Sequence, residues 1–199
     1  MTDEVRALLL AAGAGRRYGR LKQLETLCGQ RLVRRAALIV LTAGLPLDVV
    51  IGAEADRVRR ELQDLPLRLI ENPDWARGMG GSIACAVSQR MPADPAAVLI
   101  VLADQALLTP ADLQALIGEH RRYPQAILAA DYGPSLGPPC LFPRTYLPAL
   151  RALSGDRGAG VLLQQYDEAL RRLPMPHAGI DIDSPADLAR VAELLTASG

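Results

Sequence analysis

The sequence predicts an α/β protein, a three-layer α/β/α domain of Rossmann-like type with a mostly parallel sheet. Short aliphatic runs alternate along the chain with longer segments of helical periodicity, which is the order of β-α-β units. Two of these runs, residues 5–11 and 97–103, are apolar at nearly every position, as expected for strands that helices cover on both faces. We therefore expect one domain over residues 1–199.

The individual elements follow from the apolar periodicity and from the residues at its ends. Strands are predicted at residues 5–11, 47–51, 67–71, 97–103, 126–130 and 180–183. Helices are predicted at residues 31–43, 55–65, 82–89, 110 onward, 145–153, 158–166 and 184–197. Ser82 reads as the N-cap of its helix, and Thr109 precedes a proline and an acidic first turn. Prolines and glycines interrupt residues 132–160, as in many substrate loops.

Charge and hydropathy exclude several classes of partner. Lys plus Arg and Asp plus Glu both total 22, so no basic excess favours nucleic acid. The acidic pair Asp3 and Glu4 leads straight into a strand, without the basic region of a signal peptide, so we expect a cytoplasmic protein. No apolar run approaches the roughly 20 residues that a membrane span needs. The expectation is therefore a soluble protein that binds neither nucleic acid nor membrane.

A glycine-rich loop follows the first predicted strand, at residues 10–22. Its glycines let backbone N–H groups approach phosphate oxygens without interference from a Cβ atom. Arg17 can grip phosphate through two parallel donors, and Lys22 acts as a point charge. We expect these residues to bind the nucleotide: Leu10, Ala11, Ala12, Gly13, Ala14, Gly15, Arg17 and Lys22.

Three other interpretations of this loop are weighed against that one. A Walker-type loop has Ser or Thr after its lysine, whereas Lys22 is followed by Gln23. A dinucleotide fingerprint needs its third glycine one position earlier and an acid at the end of the second strand, and Glu54 comes too late. A plain turn beside solvated charges stays open on the loop alone.

The fuller pattern of residues 10–22 is Leu-x-x-Gly-x-Gly-x-Arg-x-Gly-x-x-Lys. It resembles the signature of GT-A-like nucleotidyltransferases, specifically the molybdenum-cofactor guanylyl/cytidylyltransferase-like family. Each defining position is filled, by Gly13, Gly15, Arg17, Gly19 and Lys22. The resemblance continues through three further motifs in the same order and covers residues 5–195. It implies a GT-A fold and a Mg²⁺-dependent nucleotidyltransferase.

Carboxylates form two of those motifs. Asp104 follows the apolar strand at residues 97–103, and the resemblance implies that it helps to hold Mg²⁺. A helix-capping role is the alternative, but Thr109 already offers a cap. Asp181 and Asp183 alternate on a short predicted strand and so share a face. Together with Asp104 they could surround one hard cation, although either one could instead only orient the last helix.

The remaining motif, at residues 71–82, resembles a stretch that approaches the nucleobase and ribose. We expect Gly80, Gly81 and Ser82 to contact the nucleotide, although the family usually has serines at the first two positions. On the acceptor side, Ala106 replaces a usual proline and Pro138 a usual histidine. Residues 154–159 match a loop near the acceptor, or form an ordinary surface turn.

These motifs imply a reaction. The Leu-Ala-Ala-Gly sequence at residues 10–13 is more typical of cytidylyl-transferring members, so CTP is the expected donor of a CMP group. Lys22, Arg17 and Asp104 are the expected catalytic residues. The implied acceptor bears a phosphate, with molybdopterin as the implied example and a molybdoenzyme as recipient of the product. Two alternatives stay open: a sugar- or polyol-phosphate nucleotidyltransferase, and a non-catalytic nucleotide-binding protein that delivers a cofactor.

Overall fold

A seven-stranded sheet forms the centre of the computed structural model, which describes residues 4–15, 18–89 and 95–197. The strands of this sheet are β1 Val5–Ala11, β4 Leu47–Ile51, β5 Arg68–Glu71, β6 Ala97–Leu102, β7 Ile127–Asp131, β8 Leu136–Pro143 and β9 Leu170–Pro174. Two short strands, β2 Thr26–Leu27 and β3 Gln30–Arg31, form a separate hairpin. The order across the large sheet is β5-β4-β1-β6-β8-β7-β9.

Seven α-helices connect the strands in the described part of the chain. They are α1 Leu32–Thr42, α2 Ala55–Leu62, α3 Met79–Ser88, α4 Pro110–Arg122, α5 Leu147–Arg151, α6 Gly160–Gln165 and α7 Pro185–Ala197. The predicted cap of α4 is a capping box, in which Thr109 N donates to Asp112 Oδ2 and Asp112 N donates to Thr109 Oγ1. None of the described helices is long and apolar enough to cross a membrane.

The sheet is mostly parallel and lies between two layers of helices, which confirms the predicted fold class. Only β8 runs against its neighbours; the other strand pairs of the large sheet are parallel. Along β1, Leu9 packs into the cluster that holds α1, α2 and α4, whereas Leu8 and Leu10 pack into the cluster that holds α3, α5 and α6. The apolar run of β1 is therefore buried on both faces.

This topology brings the carboxyl ends of several strands together at one edge of the sheet. Strands β1 and β6 are parallel neighbours with Leu10 opposite Leu102, so the glycine-rich loop and Asp104 leave the sheet side by side. Strand β7 runs in the same direction, because both it and β6 are antiparallel to β8. Ligands of open α/β sheets bind at this carboxyl edge.

Two predicted elements are wrong. Residues 180–183 do not form a strand, because they link a 3₁₀-helix, Pro176–Gly179, to α7 and pair with no strand of the sheet in the described part of the chain. The helix expected to begin at Ser82 begins at Met79, because Gly78 has a φ of 105° and turns the chain into the helix earlier. Strands β8 and β9 were not predicted.

Candidate functional site

A cavity of about 600 Å³ opens at the carboxyl edge of β1 and β6. Its walls come from the glycine-rich loop, the start of α3, the end of β6 and one later loop. The lining residues are Leu10, Ala11, Ala12, Gly13, Gly15, Lys22, Gln23, Trp75, Gly78, Met79, Ser82, Leu102, Ala103, Asp104 and Asp156. The cavity is large enough for a nucleotide-sized ligand.

The glycine-rich loop is held by its own backbone and by one side chain. Gly15 has a φ of 62°, and a Cβ atom there would overlap the carbonyl oxygen of Arg20. Gly19 N donates to Gly15 O at 3.0 Å, which closes the turn. Gln23 Nε2 donates to the carbonyl oxygens of Ala11 and Gly13, at 3.1 and 2.8 Å. The described part of the loop therefore has a defined shape, and Arg17 lies outside the described residues.

Lys22 joins the loop to the carboxylates. Its Nζ lies 2.6 Å from Asp104 Oδ2 and 2.8 Å from Asp183 Oδ1. The side chains of Lys22 and Asp104 are only 19% and 18% exposed. Burial opposes the charged ammonium, but the charges and hydrogen bonds of Asp104 and Asp183 prevail and raise the pKa of Lys22. Lys22 is therefore cationic, and it is the only lysine among the 199 residues.

Asp181 lies in the same acidic group. The pKa of this carboxyl is raised to about 7 by its withdrawal from water and then by the negative charges of Asp104 and Asp183, whereas Lys22 acts in the opposite direction. Ile182, between the two aspartates, is fully buried in a small cluster with Tyr18 and Val191. This anchor fixes the segment at the site although it is not a strand.

The donor set fits a hard divalent cation. Asp104 and Asp183 offer carboxylate oxygens that already share one cationic partner, and Asp181 is near enough to feel both charges. Among the described residues, no three His, Cys, Asp or Glu side chains converge as a ready-made metal cage. Mg²⁺ is usually held by one or two protein carboxylates and completed by waters and substrate phosphates, so such a cage is not needed.

Gln105 connects the segments that carry these carboxylates, and sequence reasoning gave it no role. It is 2% exposed, and its Nε2 donates to Ala178 O at 2.8 Å and to Pro138 O. Tyr132 donates its hydroxyl hydrogen to the same Pro138 oxygen. Gln105 directly follows Asp104, so its hydrogen bonds connect the Asp104 segment to the start of β8 and to the segment that leads to Asp181. A buried glutamine leaves no periodic signal in a sequence.

The start of α3 forms the opposite wall. Gly78 packs so closely on the loop at residues 154–156 that a Cβ atom would overlap Gly155 O. Ser82 lines the cavity within the first turns of α3, where its Oγ donates to Gly78 O at 3.3 Å and accepts from Asn72 Nδ2 at 3.0 Å. It is therefore not the N-cap that the sequence suggested.

The predicted site residues divide into two groups. Most of the glycine-rich loop, Lys22, Ser82 and Asp104 line the cavity, and Asp181 and Asp183 lie beside Lys22 and Asp104. Ala14, Gly80 and Gly81 do not line it. Gly80 is instead buried against Ser154, with its N–H donating to Gly155 O. Trp75, Met79 and Asp156 line the cavity without having been singled out.

Comparison with known proteins agrees with this architecture. A family model described as the MobA-like NTP transferase domain matches residues 7–170. Nicotine blue oxidoreductase of Paenarthrobacter nicotinovorans is 36% identical over 177 residues, which is 81% of this chain and 82% of that protein. The similarity therefore runs along about four fifths of each chain.

Solved structures share the fold at low identity. The manganese complex of the Rv0371C protein of Mycobacterium tuberculosis superposes with a TM-score of 0.79 and 24% identity, over 96% of this chain and 98% of that one. CMP:2-keto-3-deoxy-manno-octonic acid synthetase in complex with CTP superposes with a TM-score of 0.78 and 14% identity, over 98% and 100%. These structures establish the common α/β fold.

Proposed function

Because the chain belongs to the family of MobA-like NTP transferase domains, we propose that it transfers a nucleotidyl group from a nucleoside triphosphate, CTP above all, to a phosphate-bearing acceptor. Pyrophosphate is the second product, and Mg²⁺ is the proposed cofactor. Molybdopterin is the acceptor we favour, with a molybdoenzyme as the partner that receives the product.

One observation carries the proposal: a lysine and two carboxylates meet beside the glycine-rich loop, at a cavity that the loop also lines. Lys22 Nζ contacts Asp104 and Asp183, and residues 10–13 and Gly15 line the same cavity as Lys22 and Asp104. Anionic phosphates need such a cation, and a divalent metal needs such oxygens. The cation that the phosphates need and the oxygen ligands that the metal needs are thus brought together at one cavity.

In the proposed reaction a phosphate oxygen of the acceptor attacks the α-phosphorus. The bond from that phosphorus to the oxygen bridging the β-phosphorus breaks, and the electron pair leaves with pyrophosphate. Asp104 and Asp183 would hold the metal, which supplies charge neutralisation to the reacting phosphates. Lys22 stabilises the negative charge that grows on pyrophosphate, and the glycine loop fixes the triphosphate in line. Arg17 has the same proposed role as Lys22.

The choice of nucleotide and metal draws on the fold relatives. One of them was crystallised with CTP and another with manganese, a divalent ion that favours the same oxygen ligands as magnesium. The Leu-Ala-Ala-Gly sequence at residues 10–13, which lines the cavity, supports CTP as well.

We place the acceptor in a second cavity of about 810 Å³ next to the loop at residues 156–158. Asp156 lines the first cavity, whereas Arg157 and Gly158 line the second. Arg157 makes no hydrogen bond or ion pair with the described residues, so its guanidinium is available to an acceptor phosphate. Leu136 and Val161 add apolar surface for the rest of the molecule.

Two measurements test the proposal. Pyrophosphate release is followed with CTP, GTP, ATP or UTP, Mg²⁺, and molybdopterin or sugar phosphates as acceptors, and CTP with molybdopterin is expected to be fastest. Because Lys22 is the only lysine, selective ¹⁵N-lysine labelling gives a single side-chain ammonium signal. That signal is expected to move on addition of CTP. Binding of CTP without pyrophosphate release for any acceptor would favour the non-catalytic alternative.

A second candidate is an oxidoreductase, because nicotine blue oxidoreductase shares 36% identity over most of both chains. The residues that line the cavity include no cysteine, so a bound redox cofactor such as a nicotinamide dinucleotide would have to supply the electrons. Oxidation of NADH or NADPH in the presence of nicotine blue distinguishes this activity from nucleotidyl transfer.

A further inference from the structure

The side chain of Gln23 faces the nucleotide cavity from a nearly buried position. The residue is 6% exposed and lines the cavity beside the glycine-rich loop. Its Nε2 donates to the carbonyl oxygen of Ala11 at 3.1 Å and to that of Gly13 at 2.8 Å. Those two bonds use both hydrogens of the amide nitrogen. Gln23 therefore ties the end of β1 to the loop and has no donor left.

These two partners determine which way the amide points. A carbonyl oxygen only accepts hydrogen bonds, so a flipped amide would set three oxygens against one another. Gln23 Oε1 accepts a hydrogen bond from none of the described groups. Gln23 lines the cavity, and its amide hydrogens are committed to the backbone oxygens of Ala11 and Gly13, so Oε1 is the polar atom of this side chain that is left for a ligand in the cavity.

We propose that Gln23 Oε1, held in a fixed position, accepts a hydrogen bond from a donor group on the nucleoside part of the substrate. The donor is either a ribose hydroxyl or the amino group of the base. The triphosphate is excluded as the partner, because its ionised oxygens only accept hydrogen bonds. A site built to accept such a bond discriminates against analogues that lack the donor, because its own oxygen is then left unpaired.

The inference rests on the proposed function, since it assumes that the cavity binds a nucleotide. It assigns different parts of the ligand to two neighbouring residues. Lys22 carries the charge that phosphates need, and Gln23 offers the acceptor that the nucleoside needs. Because Gln23 is anchored on the backbone of β1 and the loop, its oxygen is held in place before the ligand arrives.

The test compares dissociation constants, measured by calorimetry, for CTP and three analogues. The analogues are 2′-deoxy-CTP, 3′-deoxy-CTP and the triphosphate of pyrimidin-2-one riboside, which lacks the amino group of cytosine. We expect the wild-type protein to bind one of them about five- to tenfold more weakly than CTP. The analogue that binds weakly identifies the donor as a hydroxyl or as the amino group.

Three variants separate direct contact from anchoring of the loop. Gln23→Met has no acceptor, so it is expected to bind CTP and the discriminated analogue equally. Gln23→Glu keeps an acceptor oxygen but sets its other carboxylate oxygen against the carbonyl oxygens of Ala11 and Gly13, so it is expected to lose the anchor and to bind CTP and all three analogues more weakly. Gln114→Met, on the exposed face of α4, is the matched control and is expected to keep the wild-type pattern. Melting curves establish that each variant is folded.

Several results would overturn the proposal. One is equal binding of CTP and all three analogues by the wild-type protein, which needs no variant to fold. Another is discrimination that survives in Gln23→Met. If the wild-type protein binds none of the four common nucleoside triphosphates, this proposal and the proposed function both fail. Binding without pyrophosphate release contradicts only nucleotidyl transfer.

Discussion

Replacing Lys22 by methionine tests the centre of the site. The substitution keeps a long flexible side chain and removes the ammonium that lies 2.6 Å from Asp104 and 2.8 Å from Asp183. We expect CTP to bind about 10- to 30-fold more weakly. Cytidine, which carries no phosphate, is expected to bind the variant and the wild-type protein equally.

The magnitude follows from an exchange of partners. A hydrogen bond to a charged group contributes about 1.5–3 kcal/mol, or about 10- to 150-fold in Kd. Lys22 must give up part of its pairing with Asp104 and Asp183 to reach a phosphate, which places the net effect in the lower part of that range. The variant also leaves two neighbouring carboxylates without a counter-charge, at a cost of about 1–2 kcal/mol in folding free energy.

Calorimetry with CTP and with cytidine, together with urea unfolding, measures these effects separately. A loss of 1–2 kcal/mol still leaves a domain of ordinary stability almost entirely folded, so unfolding would not explain weaker binding. Arg190→Met is the control, because among the residues that the structure describes this exposed arginine pairs only with Asp187 on its own helix. Unchanged CTP affinity in Lys22→Met, or an equal loss for cytidine, would refute a phosphate-binding role.

Two further predictions concern the supports of the site, and a third concerns the stability of the fold. Gly15→Ala is expected to weaken CTP binding more than Gly19→Ala, because both glycines have positive φ but only at Gly15 would a Cβ atom meet backbone; equal effects in calorimetry would contradict this. Gln105→Leu is expected to destabilise the protein by about 2–3 kcal/mol, since it leaves buried carbonyls unpaired, and to weaken Mn²⁺ binding measured by electron paramagnetic resonance. A variant that kept wild-type Mn²⁺ affinity would show that Gln105 does not position the carboxylates. Burial of His120, 7% exposed, lowers its pKa below 6.5, so the unfolded chain binds the proton more readily. Stability in urea should therefore fall as the pH drops below 6.5, and His120→Phe should lose part of that slope; an unchanged slope would contradict the assignment.

The sequence predicted β1, β4, β6 and β7, whose residues are mostly buried on both faces, and also the edge strand β5. In β1 and β6 nearly every side chain is apolar, so the local pattern is sufficient. Strand β8 contains three prolines and pairs antiparallel between β6 and β7, with an irregular register near Ala129. Strand β9 is a half-exposed edge strand with two arginines. Both depend on partners far away in the chain, which a local pattern does not report.

The sequence predicts those site residues whose side chain alone indicates a chemical role. Charged groups such as Lys22 and Asp104 stand out in a loop after an apolar strand, and the structure brings these two into contact. Gln23 and Gln105 do not stand out, because their importance comes from several backbone carbonyls contributed by separate segments. The predicted start of α3 is three residues too late for a similar reason. Gly78 is required there because of its close contact with Gly155, which lies far away in the sequence.

The carboxylates and the lysine together explain how an anionic ligand can bind at an acidic site. Asp104, Asp181 and Asp183 would repel a triphosphate, and Lys22 alone does not neutralise all three. The pKa of Asp181 is raised to about 7 first by burial and then by the negative charges of Asp104 and Asp183, which outweigh the opposing charge of Lys22. A divalent cation on the same oxygens would offset those negative charges and release the ammonium from its carboxylate partners. The pairing seen around Lys22 is therefore consistent with a site in which cation and nucleotide favour each other's binding.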